Sequence, residues 1–198
     1  VRNYFVKNKG KIILIILILV ISLIAAYSYD RYNVNQKKQI SNKFNLTTLE
    51  YTESEKNKTL NSLLEIVNKK DPTYSPLALY FIIDNKLMTD SKKINILFDV
   101  LIEKTSLDKE VKNLIIYKKA LFNSDDAQEN DLLNILNPLI NSQSVWKSHA
   151  LHLIAEYFYS KNQNQKSREF YNQIINLEKS NPSIKQQAQK RLNRDLSE

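Results

Sequence analysis

Residues 145–182 read VWKSHALHLIAEYFYSKNQNQKSREFYNQIINLEKSNP. Leu151, Ile154, Ala155 and Phe158 recur at spacings of three and four. After the polar break Lys161-Asn162-Gln163-Asn164 so do Phe170, Tyr171, Ile174, Ile175 and Leu177. This is the 3.6-residue period of an amphipathic helix. Two such stripes across a short break predict a helical hairpin.

The same period extends to both sides. Leu60, Leu63, Leu64 and Val67 form one stripe, and Leu132, Leu133, Ile135, Leu136, Leu139 and Ile140 another. Ile184, Ala188 and Leu192 form the last. More evenly apolar helices are predicted near 75–88, 91–104 and 108–123. Ser75-Pro76 and Asn181-Pro182 each set a capping side chain before a proline at the first helical position, where the missing N–H costs nothing. Asp71-Pro72 ends the helix before it. Asn123-Ser124-Asp125-Asp126 is a second polar break, and Pro138 predicts a kink or an early end to its helix. The body is therefore expected to be all-α, eight or nine short helices joined by short polar turns.

Composition excludes much else. The 198 residues contain one Gly, no Cys, one Met and one Trp. The glycine is Gly10. Phosphate-cradling loops, dinucleotide-binding turns and tight primed hairpins all need glycine, so doubly wound sheets and β-sandwiches are not expected. Without cysteine there are no disulfides, thiolate metal sites or thiol nucleophiles. Lys, Asn and Ile together supply 69 residues, the bias of an A+T-rich coding sequence, so surface Lys and Asn carry little meaning one by one. The net charge of +8 is uneven: +4 over residues 1–29, +3 over 30–70 and +1 over 71–198. A nucleic-acid binder carries its bases on the folded domain. Here they flank an apolar run, so no nucleic-acid partner is expected.

That run is IILIILILVISLIAAYSY, residues 12–29, without a charge and apolar all round. Eighteen residues make a helix of about 27 Å, close to the thickness of a hydrocarbon core. Tyr4 and Phe5 precede it. Tyr27, Tyr29 and Tyr32 follow it, suited with Lys9 and Lys11 to the two membrane interfaces. Arg2, Lys7, Lys9 and Lys11, with no acid, favour a cytoplasmic N-terminus and a body outside the cytoplasm. A cleaved signal peptide, with Ala26-Tyr27-Ser28 as its small-x-small site, and a buried soluble helix are the alternatives. The expected division is a basic segment (1–11), a transmembrane helix (12–29), a helical stalk with the first helical pair (30–70) and a repeat domain (71–198). Residues 30–52 read as a polar helix continuing out of the membrane.

The hairpin at 145–182 resembles a tetratricopeptide repeat. Small Ala155 and Ser167 allow two helices to cross closely, aromatic Phe158 and Tyr171 fill the flanking gap, and Pro182 closes the unit. Ser167 stands in place of the usual Ala, Asn162 where Gly is common, and the proline comes about three residues late. The run from Asp131 to Leu192, with its leucine pair, Leu136-Asn137-Pro138-Leu139, Trp146 and closing Ala/Arg helix, extends the likeness. The whole layout resembles the bacterial membrane-anchored periplasmic tetratricopeptide-repeat-like family that includes the ancillary subunit of the SecYEG translocon. The resemblance implies a TPR-like α-solenoid held at the inner membrane with its body in the periplasm. It implies a non-enzymatic protein-binding role within the Sec translocon and periplasmic chaperone network. Partners would be translocon subunits, chaperones or emerging polypeptides. A homo-oligomerising scaffold of a cell-envelope or division complex is the alternative.

Few residues suggest chemistry. His149 and His152, the only histidines, share a helical face with Glu156. With no third histidine and no HExxH motif, no metal or other cofactor is expected. Aligned as a repeat, His149, His152, Glu156 and Tyr159 fall on the first-helix face that lines the concave groove, where hydrogen-bonding and aromatic groups suit an extended peptide. Trp146 reads as a packing anchor between hairpins, and Tyr74, Tyr80, Tyr117, Tyr157, Tyr159 and Tyr171 as core or half-buried. Asp125, Asp126, Glu129 and Asp131 read as helix-start acids rather than a catalytic carboxylate pair. No nucleophile elbow supports Ser–His–Asp catalysis. Asn45-Leu46-Thr47 and Asn57-Lys58-Thr59 match glycosylation sequons at the frequency an Asn-rich chain produces by chance.

Overall fold

The computed structural model describes residues 9–196. Arg2, Tyr4, Phe5 and Lys7 lie outside the described residues. Among the described residues every regular element is helical: nine α-helices and one 3₁₀ turn. The chain divides into two compact units, residues 1–55 and 56–198.

In the first unit, α1 runs unbroken from Lys9 to Leu49, so the apolar run and the polar stretch behind it form one helix. A 3₁₀ turn, Glu53–Glu55, follows. The large apolar side chains from Ile13 to Ile24 are 47–69 % exposed. It is long and apolar enough to cross a membrane. Ser22 donates its hydroxyl to the Leu19 carbonyl at 2.8 Å, so its polar group is satisfied within the helix. At the end of the apolar run, Arg31 Nε donates to the Tyr27 hydroxyl at 2.9 Å and the guanidinium lies 5.2 Å from the Tyr27 ring centre. Tyr27, Tyr29 and Tyr32 are exposed.

The second unit contains α2 (Lys56–Asn68), α3 (Tyr74–Asp84), α4 (Ser91–Lys104), α5 (Lys109–Asn123), α6 (Glu129–Ile140), α7 (Lys147–Ser160), α8 (Asn164–Asn176) and α9 (Pro182–Arg194). The helix at 56–68, grouped with the stalk in the sequence reading, belongs to this unit. Each helix packs on the next. Asn95 of α4 exchanges amide hydrogen bonds with Asn123 of α5, and Asp99 accepts from Lys119 at 2.6 Å, so these two helices are antiparallel. Next-but-one packing joins α5 to α7 and α7 to α9. Ser144, before α7, donates to Glu110 near the start of α5 at 2.7 Å, while Tyr117 further along α5 stacks on Trp146. The Asn181 N–H reaches Ser148 at 3.2 Å, and Arg191 reaches Glu156 eight residues further along α7. Thus α5, α7 and α9 run in the same direction.

Helix α7 is central because it is buried on two sides. Ala150, Ile154, Tyr157 and Phe158 pack with Ile116, Ala120, Leu132, Leu136 and Leu139 from α5 and α6. Leu151 and Ala155 pack with Tyr171, Ile174 and Ala188 from α8 and α9. Ser167 donates to the Ala155 carbonyl at 2.9 Å, an approach that a larger residue at either position would block. Phe158 and Tyr171 are fully buried on either side of that crossing. Trp146 packs between α5 and α7, stacked on Tyr117 with ring centres 5.8 Å apart.

The helix ends show how a chain almost free of glycine turns. Past α3, Lys86 adopts φ 49°, its N–H reaches the Ile83 carbonyl and the Leu87 N–H reaches Ile82. Past α7, Asn162 adopts φ 57°, with Asn162 bonded to Tyr159 and Gln163 to Phe158. Both are Schellman closures in which a residue other than glycine takes the left-handed position. The first ends α3 at Asp84, four residues before the end that the apolar pattern suggested, and buries Leu87 instead. Asn181 caps α9 as expected, accepting from the Ser183 and Ile184 N–H groups. Ser75 does not cap α3. It lies inside the helix, buried, and donates to the Ile66 carbonyl at 2.7 Å, while the Asp71 carboxylate accepts from the Thr73 and Tyr74 N–H groups. A small hydroxyl is needed there to bring α2 and α3 together. Pro138 lies within α6, which ends two residues later.

Candidate functional site

His149, His152, Glu156 and Tyr159 all project from α7 but fall into two groups. His149 sits with Trp146 and Tyr117, its ring centre 5.1 Å and 5.8 Å from theirs. Burial lowers its pKa, partly offset by the Val145 backbone. His152 and Glu156 meet Tyr171 of α8, which the sequence marked as a packing aromatic, and Glu156 and Tyr159 meet Arg191 of α9, which it did not single out.

Glu156 is the hub. Arg191 grips it with two bonds, Nε to Oε1 at 2.9 Å and Nη2 to Oε2 at 2.7 Å, the planar fork that suits a carboxylate. The Tyr171 hydroxyl donates to Oε1 at 2.5 Å. The Arg191 guanidinium also covers the Tyr159 ring at 4.8 Å and binds Asp195 at 2.8 Å. Arg194 holds Asp195 from the other side at 2.7 Å. His152 lies edge-on to Tyr171, with Nε2 3.8 Å from Glu156 Oε1. The set joins three helices and the residue after α9 through side chains that all have partners.

The electrostatics follow from this geometry. Burial alone would push the Glu156 carboxyl up, but the Arg191 guanidinium and the Tyr171 hydroxyl overcome it and hold the carboxyl below its ordinary range. Burial, with the bond to Glu156, pushes the Tyr171 hydroxyl far up. Burial also lowers His152, with Glu156 pulling the other way. Glu156 therefore stays ionised and His152 neutral at pH 7. This is the reverse of a carboxyl tuned as a general acid. Both Glu156 oxygens are occupied, and no group of three or more acidic or histidine side chains among the described residues could hold a metal ion. Glu129, at the start of α6, is tied to Lys166 of α8 at 2.7 Å.

Beside this network, His152, Gln187, Lys190, Arg191 and Arg194 open onto a surface hollow of about 220 Å³. A larger hollow of about 300 Å³ lies elsewhere in the unit, between α3, α4 and α5. The sequence reading missed Arg191, which lies 35 residues after Glu156. No local signal pairs them, because the two residues lie on helices separated by α8.

The network makes stability depend on pH. His149, His152 and Glu156 all have folded-state pKa values below their unfolded ones. Each contributes stability that is fully present above the unfolded pKa and lost as pH falls through the folded one. The expected loss begins below about pH 6.5, from the histidines, and steepens below about pH 4.5, from Glu156. Urea midpoints measured across this range should decline towards acid. The double variant His149→Asn, His152→Asn should flatten the upper part of the curve only. An unchanged upper part would show that the imidazoles are not responsible.

Compared with protein-family models, with curated proteins and with solved structures, the chain matches none.

Proposed function

We propose that this chain is a membrane-tethered protein-interaction module: a helical-repeat body that binds protein partners beside the inner membrane, on its periplasmic side. The observation that carries the reading is the register of the first helices. Contacts between the parallel helices α5, α7 and α9, and the residues that lead into them, join positions 29 to 35 apart: Tyr117 with Trp146, Ser148 with Asn181, Glu110 with Ser144, and Glu156 with Arg191. Hairpins stacked about every 34 residues, the length of a tetratricopeptide repeat, would give spacings of this order, which supports the reading. Such stacks present extended faces and act by shape. The tight crossing of Ala155 and Ser167 supports the same reading.

The apolar half of α1 supports the tether. Confining the body to a bilayer raises its effective concentration near membrane partners. The resemblance to the translocon-associated family names the candidates: translocon subunits, periplasmic chaperones and emerging polypeptides. His149, His152, Glu156 and Tyr159 are proposed as part of the binding face, with Arg191 holding the last two in place.

Two measurements test this. Detergent extracts of the tagged full chain should yield a translocon subunit or a periplasmic chaperone, and a photo-crosslinker at position 152 should capture the same partner in cells. A reporter fused after Glu198 should be active in the periplasm. Recovery of neither partner class against a working control, or a reporter active only in the cytosol, overturns the proposal.

A further inference from the structure

The row of first helices has one opening. Helix α5 packs closely on α7 and α7 on α9, whereas α3 and α5 meet more loosely. Between them is the hollow of about 300 Å³. Tyr80 and Asp84 of α3 line one wall, and Lys118, Leu121 and Phe122 of α5 the other. Phe98 of α4 lines it too; its ring is almost fully buried and lies 6.0 Å, centre to centre, from that of Phe122.

The polar groups are few and specific. The Tyr80 hydroxyl is buried and has no hydrogen-bond partner. A buried hydroxyl without a partner costs stability that an incoming acceptor would recover. Lys118 lies over the Tyr80 ring at 5.8 Å. The hollow thus offers an apolar interior, one hydroxyl, one ammonium and one carboxylate. Its charges cancel, which disfavours an ionic ligand. A hydroxyl and an ammonium can donate to a carbonyl, and a carboxylate can accept from an N–H. Together they match the two halves of a peptide bond, beside a recess sized for a large side chain. Ligand sites in proteins have this composition, mostly apolar with a few polar groups that fix orientation.

We propose that the opening between α3 and α5 is a binding pocket for one large apolar side chain, aromatic or leucine-like, of an extended peptide. The flanking backbone amide of that peptide meets Tyr80, Lys118 and Asp84. This deepens the proposed function and rests on it only for the choice of a peptide over a free small molecule. It also moves the main specificity contact from α7 to α3 and α5.

The test uses the full chain in detergent, labelled with para-fluorophenylalanine and read by fluorine NMR. The probes are the blocked peptides acetyl-Gly-Gly-Phe-Gly-Gly-amide and its Ala counterpart. The Phe peptide should shift the Phe98 and Phe122 signals and leave Phe158 and Phe170 in place. The Ala peptide should bind at least about ten-fold more weakly. Leu121→Trp, at a partly exposed wall position, should fill the hollow and weaken the Phe peptide by at least about ten-fold, with thermal unfolding unchanged. Tyr80→Phe keeps the recess and removes the hydroxyl, and should weaken binding about three- to ten-fold. Equal shifts from both peptides, shifts confined to Phe158 and Phe170, or none up to about 5 mM would overturn the pocket. If partners are still recovered from extracts while the pocket is silent, the pocket falls and the interaction module stands. If the pocket binds and no partner is recovered, the reverse holds.

Discussion

Replacing Phe158 with alanine should lower the unfolding free energy of the helical unit by about 3–5 kcal/mol, among the largest effects of any single truncation in the chain. The ring is almost fully buried in the core formed by α5, α6 and α7. It stacks on Phe170 at 5.5 Å and meets Tyr157 edge-on at 5.6 Å. The Lys166 ammonium lies 4.9 Å from its centre. Truncation removes both ring contacts and leaves a cavity between helices whose backbones are already held close by Ala155 and Ser167. They cannot collapse onto the gap, so the cost should fall at the upper end of that range. Phe158→Leu keeps most of the volume and should cost about 1–1.5 kcal/mol. Denaturant unfolding of the full chain in detergent measures both. A loss below about 1 kcal/mol for the alanine variant would show that the crossing of α7 and α8 is not tightly packed.

The second large effect concerns α1. Leu17→Arg together with Ile21→Arg places two guanidinium groups one turn apart in the middle of the apolar run. Each exchange shifts the cost of insertion by about 3–4 kcal/mol, so the pair shifts it by about 6–8 kcal/mol. The chain should move from a fraction resistant to alkaline carbonate to the soluble fraction. Leu17→Ala with Ile21→Ala should stay membrane-bound. A double-arginine variant that still resists extraction would mean that the apolar run is not what holds the chain to the bilayer.

How far the sequence could be read depended on whether the signal was local. The stripes at 60–67, 132–140, 151–158 and 170–177 each record one helix face, and each became a helix with those residues inside or at the edge of the core, except Leu177, which lies just past the end of α8 in extended backbone. Asn181-Pro182 also read correctly, because a cap is settled within four residues. Ser75-Pro76 shows the same signature and fails, since Ser75 was drawn into the contact between α2 and α3 and Asp71 took over the turn. The end of α3 was misplaced because the apolar pattern continues to Met88, while Lys86 turns the chain at a position where composition gives no warning. The site was only half visible. The face of α7 could be drawn from spacing alone, but its partners Tyr171, Arg191 and Asp195 arrive from elsewhere in the chain. The opening between α3 and α5 left no local mark at all, because it lies between two helices far apart in sequence that meet loosely.

The unbroken course of α1 has one further mechanical consequence. Its polar part extends about 30 Å past Tyr29, at 1.5 Å per residue, without a proline, a glycine or a break in the helix. A rod of this kind acts as a lever. With the apolar half in a bilayer, as proposed, a change of about 10° in its tilt would swing Leu49 sideways by about 5 Å, and rotation about the long axis would pass along it undiminished. Bilayer thickness, which sets such tilts, would then be felt well beyond the headgroups.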